Sequence, residues 1–509
     1  MSSENNKRIA KNTLFLYFRM LLTMGISLYT VRIVLDTLGI KDYGIYNIVG
    51  GFVSMFAFFR TSMSSATQRF LAFELGCKNY VKLKQTFSLI LLIYAGIALL
   101  FFILAETIGL WFLNTQMTIP DERMNAANWV YQFSIFSFIV TILTVPYNAI
   151  IIARERMNIF AYISIFEVIL KLIIVYLLII LPYDKLKIYS VLTLCVTIII
   201  TFLYKSYCKK KYEESKYIFY WNKIIFYQLV SFSGWSLFGS LSGVLKNQGI
   251  NVLLNMFFGP VINAARGIAF QVNNTLVQFV SNFYTSVRPP VIKSYASENR
   301  GYTDTLVYYS SKYSYFLLLL LSVPVIIEAP IILNIWLKVL PDYAVIFTRL
   351  VIFDALINSI SYPLMTLSEA TGRIKWYQII VGTTQMLNLP VAYWVLSVNY
   401  PPQAAFYTTI IISCICIIFR LVILKRTANM NIQKYVGNVI IPIAKVTLFS
   451  FVIPIIVLLE INESIFRLIA NGLLSMLWTL LIIYTLGMFK AERFWVKRTF
   501  MKRIWKMEN

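Results

Sequence analysis

Residues 84–113 read KQTFSLILLIYAGIALLFFILAETIGLWFL, and past Lys84 the only charge in the stretch is Glu106. A helix rises about 1.5 Å per residue, so roughly 20 apolar residues cross the hydrocarbon of a bilayer. This stretch is long enough to do so. Its apolar residues are continuous rather than alternating, which excludes the strand of a membrane barrel. Runs of the same kind recur along the whole chain, at 12–35, 43–66, 84–113, 126–152, 158–182, 187–208, 224–250, 259–287, 308–338, 343–368, 374–399, 401–425, 436–459 and 464–489. The chain of 509 residues is 59% hydrophobic and 13% charged, about half the charge of a soluble protein. The sequence therefore predicts an all-α polytopic membrane protein of about 14 transmembrane helices.

The charges orient these spans. With the N-terminus inside, and charges near most span ends counted with the adjoining loops, the inner segments carry 31 of the 46 Lys and Arg, the outer loops six, and nine are embedded. Basic residues collect on the cytoplasmic side, so both termini are expected there. The same asymmetry accounts for the net charge of +24 and removes the need for a nucleic-acid partner. The basic tail at 490–509 is expected to meet anionic membrane lipids. No small-residue cleavage site follows the first apolar run, which reads as a retained span. Cys77, Cys195, Cys208, Cys414 and Cys416 show no zinc spacing and the chain has no His, so no metal is assigned.

The two halves of the sequence match. Gly39 and Gly259 open the second and eighth spans, 220 residues apart. Glu106 and Trp111 correspond to Glu328 and Trp336, and Pro146 with Arg156 corresponds to Pro363 with Arg373. Six spans per half, both entering from inside, make a parallel repeat about an axis along the membrane normal. The organisation expected is an N-lobe at 1–208, a linker at 209–223, a C-lobe at 224–425, two further spans at 426–489 and the basic tail at 490–509. A site between such lobes suits alternating access.

With the repeat and its basic N-terminus in view, the stretch VRIVLDTLGIKDYGIYNIVGGF at 31–52 resembles the polysaccharide-biosynthesis flippases of the multidrug/oligosaccharidyl-lipid/polysaccharide exporter superfamily. The segment LGIKDYGIYN carries most of that resemblance, which extends over essentially the whole chain. The family implies a V-shaped two-lobe fold in the bacterial inner membrane. It also implies export of undecaprenyl-pyrophosphate-linked sugar units, of the O-antigen, lipopolysaccharide or capsule kind, from inner to outer leaflet. A polysaccharide polymerase and glycosyltransferases are the partners such a role implies.

The embedded charges point to an anionic passenger. Arg19, Arg32, Arg60, Lys171, Lys246, Arg266, Arg349, Arg420 and Lys445 lie in apolar stretches, against the acids Glu106, Glu167, Glu328 and Asp354. A charge in hydrocarbon is kept only where it faces a partner or a wet cavity. Guanidinium forks bind phosphate oxygens in pairs. Arg19, Arg60, Lys246, Arg266 and Lys171 are therefore the substrate-binding candidates. Arg32 with Asp36 and Lys171 with Glu167 are spaced four apart and can pair locally; Arg349 and Asp354 can pair loosely, and Arg420 can snorkel from the inner end. Asp354 is the candidate for a coupling Na⁺ or H⁺; no other cofactor is implied. The amides and hydroxyls of spans seven and eight serve equally as helix glue or as the lining of a cavity for sugar hydroxyls.

Three other functions remain to be weighed. A peptidoglycan-precursor flippase also moves a lipid pyrophosphate and is separated only by LGIKDYGIYN. A cation-coupled drug exporter shares the architecture but holds cations on N-lobe acids, where this chain has arginines. A membrane glycan polymerase or glycosyltransferase needs a large outer loop with paired carboxylates, and no outer loop here exceeds about a dozen residues. No catalytic residue is assigned, and the chain is read as a transporter rather than an enzyme.

Overall fold

The computed structural model describes residues 3–54, 57–115, 119–337, 340–494 and 497, and among these there is no strand. The long helices are α1 (Ser3–Ser54), α2 (Ala57–Gly76), α3 (Tyr80–Thr115), α4 (Asp121–Ala153), α5 (Met157–Ile180), α6 (Lys185–Lys211) and α7 (Lys223–Phe258). They continue as α8 (Pro260–Ala296), α9 (Arg300–Ile327), α10 (Ala344–Thr371), α11 (Lys375–Ser397), α12 (Ala404–Ala428), α13 (Ile432–Glu460) and α14 (Ile465–Gly487). Each expected span overlaps a helix of this series, the ninth running on into the short helix Ala329–Trp336, and the all-α membrane fold stands. Residues 55–56 of the second span and 338 of the ninth lie outside the described residues. Among the described residues 12 helical stretches are long and apolar enough to cross a membrane. The second and eighth spans fall outside that set. They are repeat mates, and both carry arginines, Arg60 and Arg69 in α2, Arg266 and Arg288 in α8.

The repeat is built into the backbone. Gly39 has φ 76° and Gly259 φ 78°, a region closed to most side chains; each glycine ends one long helix and starts the next. α1 is thus two helices joined at Gly39. The turn after α2 places Lys78 at φ 56°, and the turn after α8 places Glu298 at φ 58°. Both turns use the same three hydrogen bonds, with the amides of Cys77, Lys78 and Asn79 matched by those of Ser297, Glu298 and Asn299. Left-handed residues also close α4 (Glu155) and α10 (Gly372), each directly before the matched arginine, Arg156 or Arg373.

Prolines set the interruptions. A proline has no N–H to return to the carbonyl four residues earlier. Pro390 coincides with the break at Leu387 inside α11, and Pro454 with the break at Phe451 inside α13. Pro442 follows the π-turn Val436–Ile440. Pro330 leaves the carbonyl of Ile326 without its helical donor, where α9 gives way to the short helix Ala329–Trp336.

The chain divides into two compact units, Met1–Leu241 with Pro289–Asn299, and Ser242–Arg288 with Arg300–Asn509. The first is tied at one set of helix ends by Glu155. Its carboxylate meets Arg8 and Lys293, each at 2.7 Å, and its carbonyl accepts from Asn12. Elsewhere Arg123 of α4 bridges Asp42 of α1 and Asp184, the cap of α6. Burial pushes the Asp184 carboxyl up, but the Lys187 and Leu186 amides and the Arg123 guanidinium outweigh it and hold it below the usual range. The segment after α6 folds onto this unit through Arg154–Glu214 at 2.5 Å and the Ile218 amide on Ser88.

The second unit has a core of Ile250, Leu254, Ala265, Ala269, Phe347, Val351 and Phe406, drawn from α7, α8, α10 and α12. Lys312 of α9 is fully buried and holds both oxygens of Glu492 at 2.8 Å, which fixes the start of the basic tail. Residues 495–496 and 498–509 of that tail lie outside the described residues.

Candidate functional site

A cavity of about 570 Å³ opens inside the second unit. α7 supplies Gly243, Lys246, Asn247 and Ile250; α8 supplies Arg266, Phe270, Asn273, Asn274 and Val277; α10 supplies Val351, Asp354, Ala355, Asn358 and Tyr362. Each set steps by three or four, the spacing that puts side chains on one helix face. Gln385 of α11 and Phe406 and Thr409 of α12 close the lining. One side of the cavity is the unit's apolar core, since Ile250, Val351 and Phe406 belong to both. Apart from Gly243, Phe270, Val277 and Ala355, the rest is amides, hydroxyls, two cations and one carboxylate.

Arg266 is 8% exposed. Its guanidinium donates to the Asn251 side-chain oxygen at 3.1 Å and to the Asn247 carbonyl at 2.7 Å, and stacks 4.1 Å from the Phe270 ring. All three partners are neutral, and among the described residues Arg266 forms no ion pair. Neutral acceptors and an aromatic face hold the fork in place but leave its charge uncompensated. Such a charge, taken out of water, costs several kcal/mol unless a counter-ion arrives.

Lys246 is handled differently. Its ammonium donates to Ser413 of α12 at 3.2 Å and stands 3.5 Å from Asp354. The Ser413 hydroxyl in turn donates to Asp354 at 2.5 Å, and Asn358 braces both, donating to the Asp354 carbonyl at 2.8 Å and to Ser413 at 3.4 Å.

Three of the six residues singled out from the sequence thus line one cavity: Lys246, Arg266 and Asp354. The other three lie in the first unit. Arg19 stacks 4.7 Å from Phe160. Arg60 is exposed on α2. Lys171 pairs with Glu167 at 2.6 Å on α5, the local contact their spacing predicts.

Several expected pairings are corrected. Arg349 does not reach Asp354; it donates to the carbonyls of Ile326 and Ile327, at 2.9 and 3.4 Å. The acceptor freed by Pro330 at a helix C-terminus wins, because both the missing N–H and the helix dipole favour a cation there. Arg420 does not snorkel but is buried, donating to Tyr377 at 3.0 Å and Ser361 at 2.8 Å. Arg32 and Asp36 are both exposed, with no ion pair between them among the described residues. Glu328 is fully buried and held by Arg467 and Asn471 of α14, whereas its repeat mate Glu106 accepts from the Gln132 amide at 3.1 Å.

Ser413, Asn358, Tyr362, Gln385 and Thr409 escaped the sequence reading. The spacing of Asp354, Asn358 and Tyr362 by fours was the available signal. Ser413 has no such companion, and only the fold brings it to the site.

The sequence from 16 to 177 matches the family model described as MatE. No curated protein matches the chain. Its fold is that of solved MATE-type structures. A MATE in the straight conformation superposes with a TM-score of 0.71 at 12% identity, covering 84% of this chain and 97% of the other. An outward-facing multidrug resistance MATE family transporter of the MOP superfamily gives 0.70 at 12% identity, with 82% and 94% covered. A MOP superfamily transporter from Pyrococcus furiosus, described as having a binding pocket of reversed polarity that suggests a different function, gives 0.67 at 12% identity, with 82% and 94% covered.

Proposed function

We propose that this chain is a transporter of an anionic lipid-linked sugar, a flippase carrying undecaprenyl-pyrophosphate-linked oligosaccharide from the inner to the outer leaflet of the bacterial inner membrane by alternating access. The observation that carries the reading is Arg266, a buried guanidinium that lines a cavity and whose partners among the described residues are neutral. A phosphate oxygen supplies the charge it lacks. The amides of Asn247, Gln248, Asn273, Asn274 and Gln385 suit sugar hydroxyls, and the volume admits a headgroup with part of its glycan. The polyprenyl chain stays in lipid. Arg19, Arg60 and Lys171 are the contacts proposed elsewhere along the route, and Asp354 the residue at which a coupling Na⁺ or H⁺ would act.

A cation-coupled drug exporter fits the cavity less well. Two cations and one carboxylate line it, and a cationic drug would meet a net positive wall. The fold accommodates either polarity, as the archaeal neighbour's reversed pocket illustrates. A peptidoglycan-precursor flippase would present the same pyrophosphate, and LGIKDYGIYN is what favours polysaccharide export.

The test is reconstitution in vesicles with a lipid-linked oligosaccharide on one leaflet, scored by its exposure to an added periodate or lectin. Wild-type protein is expected to flip it, and R266Q and K246Q to insert normally and fail. Flipping by R266Q at the wild-type rate refutes the assignment.

A further inference from the structure

Lys246 and Asp354 make an unusually loose ion pair. Their 3.5 Å approach compares with 2.7 Å for Arg288–Glu369, 2.8 Å for Lys312–Glu492 and 3.1 Å for Arg467–Glu328, all in the same unit. Arg467–Glu463, at 3.7 Å, is longer, but its glutamate is 67% exposed. The tight pairs do not line the cavity, and the loose one does.

The hydrogen bonds show why the pair is loose. An ammonium has three donors, and Lys246 uses one, on Ser413. Asp354 has its own short bond from the Ser413 hydroxyl, at 2.5 Å. Each partner is therefore anchored without the other. If Lys246 turns toward a new acceptor, the carboxylate keeps a charge-assisted bond and Asn358 still braces the serine.

We propose that Asp354 is a resident counter-ion, standing in for the passenger's phosphate. With no cargo it engages Lys246. An incoming phosphate group, with more charge and more oxygens than a carboxylate, takes Lys246 from it, and Asp354 falls back on Ser413. This makes Asp354 a specificity-determining residue. A neutral glycan cannot displace it, and a phosphorylated headgroup binds only by outcompeting it, which keeps binding weak enough for release. The inference rests on the reading of the cavity as an anion site.

Calorimetric titration of the purified full-length protein tests it, with inorganic pyrophosphate and undecaprenyl pyrophosphate as separate probes. D354N is expected to bind either probe at least about tenfold tighter than wild type, the lower range of measured couplings between close charges. D354S is expected to shift the same way, since the lost charge and not the amide shape is responsible. D354N/K246Q is expected to bind no tighter than K246Q, because the gain acts through Lys246. Equal or weaker binding by both D354N and D354S overturns the proposal, as does a gain that survives without Lys246. A gain confined to the lipid probe also overturns it, because the phosphate is common to both. If instead R266Q binds pyrophosphate as tightly as wild type, or no variant binds it, the anion-site reading itself has failed. Weakened binding by R266Q with no gain in D354N sinks the exchange alone.

Discussion

Two lysine–carboxylate pairs within the apolar runs, one from each unit, are unlike. Lys171 and Glu167 meet at 2.6 Å on a single helix, with side chains 45% and 36% exposed. Lys246 and Asp354 meet at 3.5 Å across α7 and α10, with side chains 10% and 21% exposed. The first neutralises two charges locally and asks nothing of the fold. The second needs three helices to assemble it and leaves donors facing a cavity. The arginines divide the same way. Arg60 is exposed on α2, whereas Arg266 is enclosed beside amides. The two halves share a backbone plan, down to matched glycine conformations, yet the cationic cavity lies within the second unit.

The sharpest way to break that contrast is to remove the arginine of the cavity. R266Q is expected to lower flipping at least about a hundredfold, the loss typical of truncating one side of a desolvated charge contact. R19Q is expected to cost less, because Arg19 does not line this cavity. Equal losses would spread the site over both units.

The repeat-related acids give the next largest difference, in stability. E328Q leaves buried Arg467 facing the exposed Glu463 at 3.7 Å in place of its buried counter-ion and is expected to cost about 3 kcal/mol. E106Q, whose partner is the Gln132 amide, is expected to cost under about 1 kcal/mol. Denaturant unfolding in detergent measures both, and equal values would show that the α14 contact adds nothing. Removing the fork of Arg349 with R349M should cost about 1–3 kcal/mol by orphaning the Ile326 carbonyl, read in the same assay. G39A and G259A should each cost about 1–2 kcal/mol, the penalty of a side chain in a left-handed conformation. Similar values would confirm that the repeat is energetic as well as geometric. Last, K171Q should change stability by less than about 0.5 kcal/mol, since exposed pairs contribute little.

The sequence made the helices legible because hydropathy is a local property. Runs such as 84–113 announce themselves without reference to the rest of the chain. The repeat was legible for a related reason: Gly39 and Gly259 each mark a backbone need that only glycine meets cheaply. The second and eighth spans were harder, because arginines and amides dilute them, and in the eighth those residues line the cavity. Lys171–Glu167 could be read from spacing, but Arg32–Asp36 has the same spacing and is not paired. Contacts between helices were not legible. Lys246 and Asp354 are 108 residues apart, and nothing local distinguishes Ser413 from any other serine in an apolar run. Arg349 was assigned the nearer carboxylate because a carbonyl freed by Pro330 leaves no mark in a list of charges.

The central claim is that an anionic headgroup occupies the cavity of the second unit. Photo-crosslinking with an undecaprenyl pyrophosphate analogue bearing a diazirine near the phosphates tests it most directly. Adducts on the peptides around Arg266 and Asn273 of α8 and Asp354 of α10, suppressed by excess unlabelled lipid, are the predicted result. Adducts confined to other helices, or labelling of these peptides that only a cationic drug suppresses, would contradict it.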